Sequence, residues 1–378
     1  MPDPSQLTRK RKLAHMQAQA SRDRFNSYGM LLWYLPFLTM LTVLQSSAVT
    51  DSTERLYDWH VMEFLHWMEQ QRKHPINDLM MLDSHLEMFF DAVMLDGGQA
   101  PFGEKVLAGL AHRMPRVSGN LGSKFPGAWR SLRGWRRLCP AGTRPPLPFE
   151  AMLLIAAHLA TTHRISMGIA VLVGFFGYMR PRELTGLLAC QVVEPMMIPT
   201  SAGLMKFWTI VLHGIEGLKA SKTGNFDENL PMDAPWLSSW IDPFMSAMQT
   251  GRSSCRRLWS FSHEEFAAAY RQSVQKLRLT KLETSLYGLR HGGISYDTLH
   301  AKRDALDIKL RARVTCDKTL ARYRKASIAQ RELSKMTGAQ LDVAAQLAAN
   351  PGELFNQLEV CRRLLAPLVS PATSSSPA

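Results

Sequence analysis

Cysteine is scarce in this sequence: five in 378 residues, at Cys139, Cys190, Cys255, Cys316 and Cys361. An odd, scattered set without a CxxC pair excludes a disulfide framework and points to reduced, intracellular thiols. No pair has zinc-ligand spacing, so no structural metal is expected. Acidic residues are the second scarcity. There are 32 against 45 Lys and Arg, a net charge of +13 and a sequence pI near 9.7. Between Glu104 and Glu150 no acidic residue occurs at all. Such an imbalance implies a polyanionic partner, either nucleic acid or an anionic membrane surface. Charge of either sign is missing from Ser27 to Thr50, a stretch that includes MLLWYLPFLTMLTVL and follows RKRK at 9–12. That approaches the lower length limit of a membrane span with a positive flank. The competing reading is a buried N-terminal segment interrupted by Pro36. No internal repeat is visible.

What is present divides the chain. The length suits two to three domains with ample core. Residues 1–50 read as an N-terminal extension. From Glu54 to Phe90, LYDWHVMEFLHWMEQQ and NDLMMLDSHLEMFFDAVM space apolar residues by three and four, which predicts helices, with Asp78 and Asp83 as caps. The acid-free run follows. Within it AWRSLRGWRRL puts Arg130, Arg133 and Arg137 on one helical face, beside Trp129 and Trp135. Solvated helix faces normally mix signs and this one does not, so Lys124, Arg130, Arg133, Arg136 and Arg137 are expected to contact DNA phosphates. CPAGTRPPLPF, with four prolines and a glycine, marks an interdomain linker, set at 141–147 after a helical domain at 51–140. A second domain is expected over 148–345, and a C-terminal helix with a disordered tail over 346–378. There EAMLLIAAHLATTHRISMGIAVLVGFFGYM predicts two apolar helices, in which His158 and His163 are ordinary helix residues. KFWTIVLHG (206–214) predicts a strand, and SKTGN (221–225) a hairpin turn returning through Asn229-Leu230.

Four places could carry chemistry. In GYMRPREL (177–184), Pro181 fits the first position of a helix, with Arg180 just outside it and Glu183 in the first turn. A guanidinium then stands where backbone N–H groups already favour an anion. Glu183 either orients Arg180 or caps the helix. SLYGLRHGGIS (285–295) gathers Tyr287, Arg290 and His291 at a helix start, and Gly292-Gly293 suggests close backbone approach. Lys222 sits at the predicted hairpin tip. LARYRKA (320–326) puts Tyr323 among Arg322, Arg324 and Lys325.

An arginine, a lysine, a second arginine and a late tyrosine, in that order, resemble the tyrosine recombinase, or phage-integrase, superfamily. LRHGGIS and RYRK resemble its eukaryotic, transposon-associated branch most. The resemblance covers roughly 54–330 and is strongest over 170–325. It implies a mainly α fold with a small β-hairpin sheet (α+β), in which a helical core-binding domain and an integrase-type catalytic domain clamp duplex DNA. It implies a catalytic set of Arg180, Lys222, Tyr287, Arg290 and Tyr323. Tyr323 would attack a phosphodiester and form a 3′-phosphotyrosyl intermediate, so neither ATP nor metal nor any other cofactor is needed. Arg180 and Arg290 would clamp the non-bridging oxygens, and Lys222 would protonate the leaving 5′ oxygen. Glu183 and His291 would support the arginines, and Arg313 and Arg322 would touch DNA. A homotetramer on DNA, exchanging a helix from AQLDVAAQLAANPGELFNQLEVCRRLL, and a nuclear location complete the expectation.

Two departures stand out. Tyr287 takes a place where the family usually has His or Lys, and a neutral phenol is a poor base. Val314, in Arg311-Ala312-Arg313-Val314, replaces a His or Trp that donates to the phosphate. Losing one such donor can cost on the order of a hundredfold in rate. A catalytically degenerate, recombinase-derived DNA-binding protein is therefore the main alternative. A type IB topoisomerase lacks support, because its Ser-Lys-x-x-Tyr pattern is absent. A membrane-anchored basic protein rests on residues 27–50 alone.

Overall fold

The computed structural model describes residues 4–29, 38–73, 76, 78–115, 124–140, 142, 144–200, 203–212, 228–233, 237, 256–300, 302–314, 316–317, 320, 326–349 and 357–369. Lys222, Arg322, Tyr323, residues 30–37 of the uncharged 27–50 stretch and the tail from 370 lie outside them. The fold is mainly helical with one small antiparallel sheet. It divides into two compact units, Met1–Thr143 and Arg144–Ala378, and the boundary falls within the proline-rich 139–149 stretch.

The first unit holds α1 (Pro4–Ser27), α2 (Val43–Ser46), α3 (Asp51–Gln70), α4 (Leu79–Leu95), α5 (Ala100–Arg113) and α6 (Pro126–Leu138). Asp78 caps α4 by accepting from Met81 N–H at 2.7 Å. Phe64, Leu65, Met68, Leu86, Phe90, Leu110 and Leu132 form one buried apolar core. The N-terminal extension is not a separate appendage. Arg24 of α1 pairs with Asp51, Glu54 and Asp58 of α3 at 3.1, 2.9 and 3.0 Å. Arg113 of α5 donates to both oxygens of Asp58, at 2.9 and 2.7 Å. Composition hid this docking, since the anchoring charges are spread over ninety residues. Among the described residues no helix is long and apolar enough to cross a membrane, and Leu38 and Leu41 are buried.

The second unit runs α7 (Phe149–Thr161), α8 (Ile165–Phe176), α9 (Pro181–Thr185), β1 (Val192–Thr200), β2 (Gly203–Leu212), β3 (Glu228–Met232), α10 (His263–Lys276), α11 (Leu286–Leu299), α12 (Ala305–Ala312), α13 (Ala326–Leu333), α14 (Gly338–Ala349) and α15 (Leu358–Val369). Helices α7 and α8 are apolar on nearly every face and are wrapped by the others, as all-round hydrophobicity demands. The strands pair in the order β1-β2-β3, all antiparallel, with Trp208 opposite Met232 and Ile210 opposite Leu230. Strand β1 escaped the sequence reading because Pro195 and Pro199 argue against a strand. It is an edge, where a missing N–H is tolerated, and its register breaks between Val193 and Met196.

The segment proposed for exchange with a neighbouring protomer supplies α14 and α15, and both pack on α7 of their own unit. Leu347, Cys361, Leu365 and Leu368 are buried there in the main core.

Candidate active site

Helix α8 ends at Phe176, and the chain must turn sharply to start α9. Tyr178 takes the turn in a left-handed conformation, φ 47°, rare for a residue with a Cβ. Its side chain is buried and its hydroxyl donates to Asp297 of α11. Burial and the Asp297 charge together push the phenol well above its ordinary pKa. Asp297 also accepts from Arg303 at 2.8 Å, and Arg303 makes a two-toothed pair with Asp233 at 2.6 and 2.7 Å. Arg311 donates to Phe176 O at 2.7 Å and stands over the Tyr178 ring. This buried network fixes the turn that delivers Arg180.

Three arginines meet at that turn. Arg290 donates to the carbonyls of Tyr178 and of Ala312, joining the end of α8 to the end of α12. It is 1% exposed, so it lies inside the protein rather than facing an open phosphate pocket. Arg313, in the left-handed region at the end of α12, also reaches Tyr178 O, at 3.3 Å, and pairs with Glu183 at 2.6 Å and Glu228 at 3.4 Å. The sequence-based expectation of a DNA-contacting Arg313 is corrected by this placement: it is buried. Burial pushes its pKa down to about 10, against the pull of Glu183, and it stays cationic at neutral pH.

Glu183 resolves its two readings by doing both. One oxygen accepts from the Arg180 guanidinium, and the other accepts from Arg180 N–H at 2.9 Å and from Arg313. Burial alone would raise the carboxyl, but Arg313 and Arg180 outweigh it and hold it below the usual range. Arg180 is half-buried at the N-terminus of α9. Burial tends to lower its pKa; Glu183, then Tyr287 and Glu228, raise it above its ordinary value.

Tyr287, in the first turn of α11, tilts against the His291 ring at 5.3 Å. The Arg144 guanidinium lies over the Tyr287 ring of this pair, 4.7 Å from its centroid. Gly292 and Gly293 allow the close approach anticipated for them. A Cβ on Gly292 would sit 2.4 Å from Leu147 O, and one on Gly293 2.0 Å from Phe175 O. Val314 packs with Tyr178, Ile294, Ile308, Ala312 and Leu320, an apolar contact without a donor. Arg180, Glu183, Tyr287, Arg290 and His291 therefore belong to one neighbourhood. Lys222 and Tyr323 lie outside the described residues.

Sequence reasoning missed Arg144 and the Tyr178–Asp297–Arg303–Asp233 network. Asp297 had a signal: it follows Arg290 by seven residues on one helix, hence on the same face. Arg144 had only its place in the acid-free run.

The first unit carries the second candidate surface. Asp83 of α4 caps a helix other than its own, accepting from Gly127 N–H at 2.8 Å and Ala128 N–H at 2.9 Å at the start of α6. Anchored so, α6 presents exposed Arg130, Arg133 and Arg137 along a groove of about 870 Å³ also bordered by Glu87 and Gly127. Lys124 is exposed just ahead of it. Arg136 departs from its expected role. It turns toward α5, bonding Glu104 at 2.8 and 2.9 Å and lying over Trp129. Its offset of one residue from Arg137 swings it about 100° around the helix.

No protein-family model and no curated protein sequence matches this chain. Among solved structures, the chain is similar to the Tn1549 transposon integrase in complex with circular intermediate DNA, at 11% identity and a TM-score of 0.44, covering 74% of this chain and 98% of that one.

Proposed function

We propose that this protein is a tyrosine recombinase that cuts and rejoins duplex DNA, of the eukaryotic, mobile-element type and acting in the nucleus. One observation carries the reading. Arg180 and Arg290, 110 positions apart in sequence, bracket the same turn, with Glu183 and Tyr287 beside them.

In this reading the Tyr323 phenol gives up its proton to solvent as its oxygen attacks the phosphorus, a 3′-phosphotyrosyl bond forms and the bond to the 5′ oxygen breaks. Lys222 delivers the proton that the 5′ oxygen needs. Attack by a 5′-hydroxyl on the phosphotyrosine reverses the step, so the linkage conserves bond energy without ATP. Arg180, at the N-terminus of α9, meets the non-bridging oxygens, where its planar fork and the helix end both favour negative charge. Arg290 works through position: it ties the Tyr178 carbonyl to the end of α12 and so aims Arg180. Glu183 sets the Arg180 fork. The α6 arginines hold the duplex backbone, and assembly into a tetramer on DNA belongs to the same proposal.

The test is a pool of nicked duplexes of randomised sequence, in which cleavage near a nick loses the short product and traps the protein on DNA. The proposal expects a covalent protein–DNA band that Tyr323→Phe abolishes.

A second reading has its own support. Val314 supplies no donor, and Arg290 is committed to backbone carbonyls, which suits a recombinase-derived DNA binder that no longer cuts. Salt-sensitive duplex binding without any trapped band is the outcome that selects it.

A further inference from the structure

The segment that opens the second unit runs along the first turns of α11. Leu147 N–H donates to Gly288 O at 3.3 Å, Pro146 and Pro148 are buried, and the Leu147 carbonyl occupies the space a Gly292 side chain would need. Three prolines in four residues stiffen it. Arg144 stands at the head of this strap, and its guanidinium carbon lies 4.7 Å from the Tyr287 ring centroid. Tyr287 in turn lies within electrostatic range of Arg180.

The guanidiniums of this neighbourhood differ in access. Arg290 and Arg313 are 1% and 6% exposed and serve carbonyls and Glu183. Arg180 is half-buried and shares Glu183. Arg144 is exposed. A guanidinium over a ring face meets the ring with its π surface, which is compatible with presenting its in-plane N–H fork to phosphate oxygens.

We infer that Arg144 is a phosphate-contacting residue of this site, reaching it from the interdomain strap over the Tyr287 ring. That the phosphate is the scissile one rests on the recombinase reading; the contact itself does not.

The experiment measures binding of the full-length chain to a random-sequence 30-base-pair duplex across salt concentrations. Wild type is compared with Arg144→Ala, Arg144→Lys and a control, Arg362→Ala. Arg362 bonds the Thr161 carbonyl at the far end of α7. Arg144→Ala is expected to weaken binding roughly tenfold at low salt and to lower the log–log salt slope by about one. Arg144→Lys restores the slope, and Arg362→Ala leaves it at the wild-type value. A general loss of structure would not spare the slope in this charge-specific way. An unchanged slope for Arg144→Ala overturns the inference, whether or not nicked duplexes trap the protein. A lowered slope with no trapped band upholds the contact and removes the recombinase reading instead. Failure of the wild type to bind duplex at all overturns both.

Discussion

Arg313 and Glu183, 130 residues apart in sequence, form a buried ion pair at 2.6 Å. The pair spans the end of α12 and the first turn of α9, and it shares its carboxylate with Arg180. Glu183 therefore holds two guanidiniums at once, half-buried Arg180 and buried Arg313.

Breaking this pair from one side leaves buried Arg313 with only the longer Glu228 contact at 3.4 Å, so the cost falls toward the low end of the roughly 3–5 kcal/mol typical of a broken buried pair. Glu183→Gln is expected to lower the unfolding free energy of the chain by about that much in urea titration. Adding Arg313→Met should return a substantial part, since it removes the stranded cation. No recovery in the double variant would mean that Arg313 is not the partner that matters.

Gly293 offers a sharper steric test. A Cβ there would stand 2.0 Å from the Phe175 carbonyl, a backbone atom that cannot swing aside. Gly293→Ala should cost roughly 1–3 kcal/mol or more through forced overpacking and lower the melting temperature. Gly134→Ala, where a Cβ meets open space on α6, should be neutral or mildly stabilising, because alanine favours helix.

The cap supplied by Asp83 links stability to the basic surface. Asp83→Ala removes the acceptor for two N–H groups of α6, expected to cost about 1–2 kcal/mol. It should also weaken duplex binding by loosening the Arg130–Arg133–Arg137 face. Replacing those three arginines by alanine instead should reduce the salt slope by about three and leave the melting curve in place. Equal slopes would remove this face from the DNA-binding surface.

Acid should destabilise the second unit through two of its paired carboxylates. Glu183 and Asp233 have folded-state pKa values held below their ordinary ones: burial raises both, but their arginine partners outweigh it. The unfolded chain then binds more protons as pH falls, so this stability is complete above about pH 5 and is lost as pH drops through the depressed values. Urea midpoints at pH 7 and pH 4 check it. Glu183→Gln should flatten the difference, and an unchanged pH dependence in that variant would contradict the assignment.

Much of the helical fold was legible because apolar residues recur every three or four positions, as in α3, α4 and α6. Strand β1 was not, since its prolines are tolerated only at an edge and one sequence does not reveal which strand is an edge. The site was legible by residue type and order but not by depth. Arginine is seldom fully buried, so nothing in LRHGG shows that Arg290 faces two carbonyls. The Arg136 partner was hidden for a related reason: Glu104 lies on another helix, and sequence spacing carries no information between helices.

Mapping the trapped residue addresses the central claim most directly. The protein captured on nicked duplexes is digested with protease and nuclease, and the peptide carrying the nucleotide is identified by mass spectrometry. A single 3′-phosphotyrosyl link at Tyr323, lost in Arg180→Ala as well as in Tyr323→Phe, is the predicted result. A link at any other residue, or none while duplex binding is intact, contradicts it.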